Sequence, residues 1–220
     1  MDRDKFLRLY YAQRAKEYEK VYLKTERQQN LRELKELLKT VFSGHHVLEV
    51  ACGTGYWTQT IAETAASILA TDCNEEVIEV AKTKGYHACQ VSFAIADAYA
   101  LTPIEGDFTA CFCGFWFSHI PKTRRDVFIR DLHAKMPEHA LVVMIDNRYV
   151  EGSSTPLSGT DGEGNSYQIR HLEDGTAHKI LKNFPTETEL QKTFKRHSRN
   201  FEVLTLDYFW IAQYTVYEDF

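Results

Sequence analysis

VLEVACGTGYW, residues 47–57, places a glutamate, Glu49, inside an apolar run and follows it with a short turn, Ala51-Cys52-Gly53-Thr54-Gly55. The run reads as a buried strand, and a carboxylate inside such a strand is costly unless something satisfies it. A glycine-containing turn between a strand and a helix lets a ligand approach the backbone closely, and the helix behind it offers free N–H groups. The stretch therefore predicts strand, turn and helix, with a ligand at their junction.

Working outward, strands and helices alternate. Residues 3–42 read as helical, with Leu31, Leu34, Leu38 and Val41 at helical spacing. His46–Val50 is the first strand, and Trp57 and Ile61 open a helix. Ile68–Thr71 is a strand ending at Asp72, and Asn74 is expected to cap a helix that carries Val77, Ile78 and Ala81. Val91–Ala96 is a strand ending at Asp97, and Phe108–Cys113 is the fourth. Thr123 with Asp126 resembles a capping box before Phe128, Leu132 and Met136, and Pro137 stops that helix. Leu141–Ile145 is a strongly apolar fifth strand.

Such alternation predicts an α/β three-layer sandwich with a mostly parallel sheet, its strands continuous apolar runs because both faces are covered. The pattern breaks at residues 147–183, which hold five of the glycines and many polar residues. A hairpin is expected there, YQIRHL and TAHKILK joined at Asp174-Gly175. Thr186 with Glu189 forms a second capping-box pattern. The ending NFEVLTLDYFWIAQYTVY is too long for one strand and splits near Asp207 into two antiparallel ones. We read one domain over residues 1–220, with N-terminal helices at 1–42 and a substrate-lid insertion at 147–183. The insertion follows strand five, at the carboxyl edge where open α/β sheets bind ligands.

With 220 residues and 44% hydrophobic content the chain can build a full core. A net charge of −5 and a pI near 6.0 argue against general nucleic-acid or membrane binding. The five cysteines are odd in number and include no CxxC, so we expect reduced thiols and neither a disulfide framework nor a zinc site. MDRDKFLRLYY lacks an apolar signal region and no run reaches the length of a membrane span, so the expected location is the cytoplasm. Monomer and homodimer stay open.

Asp72 lies 19 residues past Gly53, where a carboxylate accepts the hydroxyls of a ribose, and Asp97 ends the next strand along the same edge. A dinucleotide site needs G-x-G-x-x-G, but Thr58 stands at the third glycine, and a pyrophosphate disfavours Glu49. S-adenosylmethionine (SAM), with its sulfonium and ammonium and no phosphate, suits three acids better. Residues 47–120 resemble a class I SAM-dependent methyltransferase: Glu49-x-Ala51-x-Gly53-x-Gly55 is similar to the family motif E/D-x-G-x-G-x-G, with Ala51 where glycine is usual, and Asp72 and Asp97 match the next two acidic positions. The resemblance implies a seven-stranded sheet of order 3-2-1-4-5-7-6 whose last strand is antiparallel. It implies SAM as cofactor and S-adenosylhomocysteine as product. Glu49 and the backbone of Ala51, Gly53 and Gly55, with Trp57 beside them, then hold the methionine part; Asp72, followed by Cys73, takes the ribose; Asp97 and the Ala98 N–H meet the adenine.

GFWFSHIP, 114–121, follows strand four and so falls beside the methyl group. Phe115 and Trp116 either face the sulfonium or belong to the core. His119 is either a general base, since imidazole titrates near neutrality, or a cap on the next turn. Tyr10, Tyr11, Arg14 and Tyr18 lie on a helix that either covers the cofactor or packs its aromatic face on the sheet. Asp146-Asn147 is similar to the metal pair of magnesium-dependent catechol methyltransferases, but the acid those enzymes carry after strand four is replaced by GFWFSH, so no metal is expected. Asn147, Arg148, Tyr149 and Arg170 are expected to touch the substrate. Arg148, Arg170, His171 and Lys182 put positive charge on the lid of an acidic protein, which suits an anionic acceptor; the other reading is a solvated loop. The expected activity is methyl transfer (EC 2.1.1) to oxygen or nitrogen of a small, anionic molecule. The alternatives are a peptide, protein or RNA acceptor, or a non-catalytic SAM-binding protein.

Overall fold

The computed structural model describes residues 3–217. The chain starts with helix α1 (Arg3–Arg14), tightens into a 3-10 helix over Ala15–Leu23 and resumes as α2 (Gln28–Val41). The stretch 3–42 is thus helical but not continuous. β1 (His46–Val50), α3 (Tyr56–Ile61), β2 (Ser67–Asp72), α4 (Glu75–Lys82), β3 (Gln90–Ile95), β4 (Ala110–Gly114), α5 (Arg125–His133) and β5 (Leu141–Asn147) follow in alternation. Next come β6 (Leu157–Thr160), β7 (Ser166–His171), β8 (Ala177–Leu181), α6 (Glu187–Phe194), β9 (Ser198–Thr205) and β10 (Phe209–Val216).

The main sheet has the order β3-β2-β1-β4-β5-β10-β9, which is the expected 3-2-1-4-5-7-6 once its strands are counted alone. β1 runs parallel to β2 and β4, with Glu49 opposite Ala70 and Phe112. β10 is antiparallel to both β5 and β9. Central strands feed two cores by simple alternation. Leu48 and Val50, Cys111 and Cys113, Val142 and Met144 face a core closed by Phe128 and Leu132 of α5 and Phe194 of α6. Val47, Phe112, Val143 and Ile145 face the other, closed by Leu31, Leu34 and Leu38 of α2 and Ile61 of α3. Both faces are covered, hence the continuous apolar runs. All five cysteines are free.

The insertion folds as a separate three-stranded sheet, β6-β7-β8. Its β7–β8 hairpin turns at Asp174-Gly175, where Gly175 has φ +83. The C-terminal pair divides near Asp207 as expected. Thr186 and Glu189 form the full capping box of α6. The Thr123–Asp126 box does not form: a 3-10 turn over Lys122–Arg124 moves the start of α5, Arg124 becomes its N-cap and Thr123 turns to Glu163. Asn74 does take the N-cap position of α4, without a side-chain cap bond. Among the described residues no helix is long and apolar enough to cross a membrane.

Candidate active site

The carboxyl ends of β1, β2 and β4 and the loop after β3 converge on one cavity. The turn after β1 is built by unusual backbone: Ala51 has φ +58, Gly53 φ +55 and Gly55 φ +76. Gly55 is obligatory, since an added Cβ would lie 2.5 Å from the Tyr86 hydroxyl and 3.0 Å from Ala81 Cβ. At Gly53 the same construction meets open space, so this backbone is free to receive a ligand. Ala51 holds a left-handed conformation that costs a Cβ-bearing residue about 1–2 kcal/mol.

Beneath the turn Glu49 is 1% exposed, and its Oε2 has no hydrogen-bond partner among the described residues. Burial raises its pKa to about 8, and nearby Asp72 adds to the rise. Asp72 accepts from the N–H of Gly53 (2.9 Å) and of Asn74 (3.0 Å), which locks the turn to the end of β2. Asp97 accepts from the Tyr99 N–H (2.9 Å) and pairs with Arg8 of α1. Asp72, Cys73, Asp97, Ala98, Phe115 and Trp116 all line this cavity. Three acids with one orphaned buried oxygen, an open glycine backbone and aromatic walls fit a cationic, phosphate-free cofactor.

A second cavity of about 330 Å³ lies under the insertion and the N-terminal segment. It shares Tyr11, Tyr18, Phe115 and His119 with the first. Phe115 departs from β4 at φ +60, a strained value for an aromatic residue, with its N–H on Ile145 O at 2.7 Å. His119 is 5% exposed and has Nδ1 2.7 Å from Leu181 O. A carbonyl only accepts, so Nδ1 carries the proton and Nε2 receives the Tyr11 hydroxyl at 2.8 Å. Burial holds the His119 pKa well below the usual histidine value, and Lys182 and Arg170 push it the same way. The imidazole is therefore neutral at physiological pH.

The charged residues lining the second cavity are Arg14, Lys24, Arg27, Arg170 and Lys182, with no aspartate or glutamate among the lining residues. Lys182 is answered by fully buried Asp146 at 2.8 Å and reaches Ser118 Oγ at 2.5 Å. Burial alone favours the neutral acid, but Lys182 more than offsets it and keeps the Asp146 carboxyl below its ordinary pKa. Asp146 also accepts from the N–H of Ser118 and Asn147, so the Asp146-Asn147 pair braces the lid.

The structure thus brings ten of the expected residues to the first cavity: Tyr11, Ala51, Gly53, Asp72, Cys73, Asp97, Ala98, Phe115, Trp116 and His119. Arg14, Asn147 and Arg170 line the second. Arg148 is turned away from both, its Nη1 donating to the carbonyls of Leu206 (2.6 Å) and Asp207 (3.2 Å), because the chain leaves β5 with this side chain on the β9–β10 side. Tyr149 is 41% exposed and packs on Phe184 outside the second cavity. Trp57 is buried, donates to the Tyr22 hydroxyl and stacks on Phe115, which makes it a support behind the wall. Gly55, closed over by Tyr86 and Ala81, and Glu49, buried beneath the turn, do not themselves line the cavity. Sequence reading missed Arg8, Lys24 and Arg27. They sit in the charged N-terminal stretch, and the recurrence of Arg14, Tyr18 and Tyr22 at every fourth residue was the available hint of a lining face.

Residues 47–138 match a family described as "Methyltransferase domain". A structure described as "DhpI-SAH complex structure" aligns over 95% of this chain and 94% of that one, with a TM-score of 0.74 and 25% identity. Residues 47–138 thus carry a methyltransferase domain, and the chain as a whole shares the fold of a structure solved with S-adenosylhomocysteine. A second structure, "DhpI-SAM-HEP complex", has a TM-score of 0.77 at 24% identity over 96% of this methyltransferase and 97% of that chain. The methyltransferase is also 30% identical over 138 residues, 61% of its length, to "Ubiquinone biosynthesis O-methyltransferase" of Xylella fastidiosa (strain 9a5c). It spans about half, 53%, of that curated relative. The first of these structures holds S-adenosylhomocysteine and the second SAM. The cofactor supplies a methyl group already activated by a positive sulfur.

Proposed function

We propose that this methyltransferase alkylates a small anionic molecule, by O- or N-methylation, in the second cavity. The observation that carries the reading is the cavity itself: five cations and no acid line it, in a protein of net charge −5, and it meets the cofactor cavity at Tyr11, Tyr18, Phe115 and His119. Like charges gathered around one cavity repel one another, and an anion relieves that repulsion. A concave space of about 330 Å³ suits a metabolite better than a folded protein or RNA. The O-methyltransferase name of the 30% identical relative agrees with a small acceptor.

On this reading each residue has a physical task. Glu49 takes the cofactor's ammonium, Asp72 the ribose, and Asp97 with the Ala98 N–H the adenine. Phe115 and Trp116 exclude water from the reacting atoms. Arg14, Arg170 and Asn147 orient the acceptor, and alignment alone supplies much of the acceleration of a bimolecular step. His119, neutral with Nε2 as the acceptor nitrogen, takes a proton through Tyr11 when the nucleophile is a hydroxyl. An acceptor that arrives ionised needs no base. The N-terminal segment and residues 147–183 act as the cover of a single catalytic domain.

Incubation with methyl-labelled SAM and a size-fractionated cell extract tests the reading. Label is expected in a small anionic metabolite. Label confined to protein or RNA would falsify it, and no transfer at all would favour a SAM-binding protein without activity.

A further inference from the structure

The cationic residues of the second cavity fall into two separated groups. Arg14 and Arg170 stand next to the Tyr11–His119 junction: Arg14 lies over the rings of Tyr10 and Tyr18, and Arg170 hydrogen-bonds the neutral Gln168 and meets the Tyr10 hydroxyl. Lys24 and Arg27 stand beyond the 3-10 helix. Arg27 is 8% exposed, lies over Tyr208 and Phe209, and donates to Asn147 Oδ1 (3.1 Å) and to Ser153 (3.0–3.3 Å). Lys24 donates to Ser153 O at the mouth. Lys182 falls between the groups, feeling both Arg170 and Arg27, but Asp146 answers its charge.

The nine residues of the 3-10 helix, at about 2.0 Å rise each, separate the backbones of the two groups by roughly 18 Å. The cavity therefore presents cations at both ends of the 3-10 helix, a spread that suits an elongated anion. No carboxylate forms an ion pair with Arg14, Arg27 or Arg170 among the described residues. The nearest acid to the distal group is Glu26, which accepts from Ser153 Oγ and does not line the cavity. Arg27 keeps a free Nη1 donor and Lys24 keeps two, so both have capacity for a further acceptor.

We propose that the acceptor carries two anionic groups, one held by Arg14 and Arg170 beside the methyl-transfer junction and the other by Lys24 and Arg27 at the far end of the same cavity. This rests on the small-anion reading above. The distal pair acts as a ruler, selecting molecules whose second charge lies several bonds from the first.

The test is calorimetric titration of the full chain, saturated with S-adenosylhomocysteine, with α,ω-dicarboxylates from malonate to suberate and the matching monocarboxylates. One diacid length should bind about tenfold more tightly than its monoacid, the gain of one charge-assisted contact. Lys24→Met should reduce that diacid to the monoacid level and leave the monoacid unchanged, while Arg170→Met should weaken both. Equal binding of diacid and monoacid at every length, or a diacid advantage that survives Lys24→Met, overturns the second anion group. Absence of binding by any acid, or monoacid binding indifferent to Arg170→Met, overturns the anionic-substrate reading and this inference with it.

Discussion

Replacing Glu49 with glutamine separates what the acid does to the fold from what it does for the cofactor. The carboxyl is fully buried, and its pKa of about 8 against an ordinary 4.5 comes first from burial. Between those two pH values the folded protein holds a proton that the unfolded chain has released. Stability is therefore lost as pH rises through this window, by up to about 5 kcal/mol at pH 8. Glutamine keeps the shape without the charge. The ligand-free variant should melt at the wild-type temperature near pH 4.5 and increasingly above it toward pH 8, at about 2–4 °C per kcal/mol for a chain of this size.

With cofactor the order should reverse. Pairing with an ammonium requires the ionised form, which costs about 1.4 kcal/mol at pH 7 and about 2.7 kcal/mol at pH 6. Wild-type affinity for SAM should rise about tenfold from pH 6 to pH 7 and level off near pH 8, where the cofactor's own amine starts to deprotonate. Binding at pH 7 should release nearly one proton, measurable by calorimetry in two buffers of different ionisation enthalpy. Glu49→Gln should bind weakly, with little pH dependence over pH 6–7 and no release. A wild-type affinity that is flat between pH 6 and 8, with no proton released, would refute the assignment of Glu49 to the ammonium.

Other substitutions probe the remaining parts. Ala51→Gly relieves the left-handed strain at φ +58 and should raise stability by about 0.5–1 kcal/mol; a lower melting temperature contradicts that account. Lys182→Met strands the buried Asp146 carboxylate and should destabilise by about 3–5 kcal/mol in chemical denaturation, with Asp146→Asn in the same chain recovering part of the loss. Tyr11→Phe removes the hydroxyl that His119 Nε2 receives; turnover should fall while SAM affinity stays within a few-fold, and an unchanged turnover would leave the pair without a role in the reaction. Thr186→Ala breaks the capping box of α6 and should cost about 0.5–2 kcal/mol.

The sheet was legible because each central strand is buried on both faces and reads as a bare apolar run, as in Leu141–Ile145. The acids were legible because a strand end fixes where its last residue goes: Asp72 closes β2, and Asp97 lies just beyond β3. The lining of the second cavity was harder to read. Arg148 and Arg170 look alike as charges on a loop, and only the folded chain shows that one binds the carbonyls of the β9–β10 turn while the other faces the cavity. β6 escaped notice because all four of its residues are exposed and it contains Gly159, so neither alternation nor propensity marks it. The N-terminal aromatics were read as a cover or as a face packed on the sheet; Tyr11 and Tyr18 line both cavities, and Tyr10 lines the second while packing on Leu172 and Ile180 of the insertion, not on the main sheet.

Every cation of the second cavity comes from two pieces of chain, residues 14–27 and the insertion, while the sheet contributes only its edge. These two pieces are tied to each other across the opening, Lys20 to Glu173 and Arg27 to Ser153. The acceptor pocket is in effect a pair of exchangeable cassettes clipped onto an unchanging cofactor platform. Changing what the enzyme methylates then means trading both cassettes together, because a foreign insertion would meet the wrong clips on the resident N-terminal segment. In lineages that diverge in substrate, substitutions at positions 20, 27, 153 and 173 should travel as a set, while the glycine turn stands still.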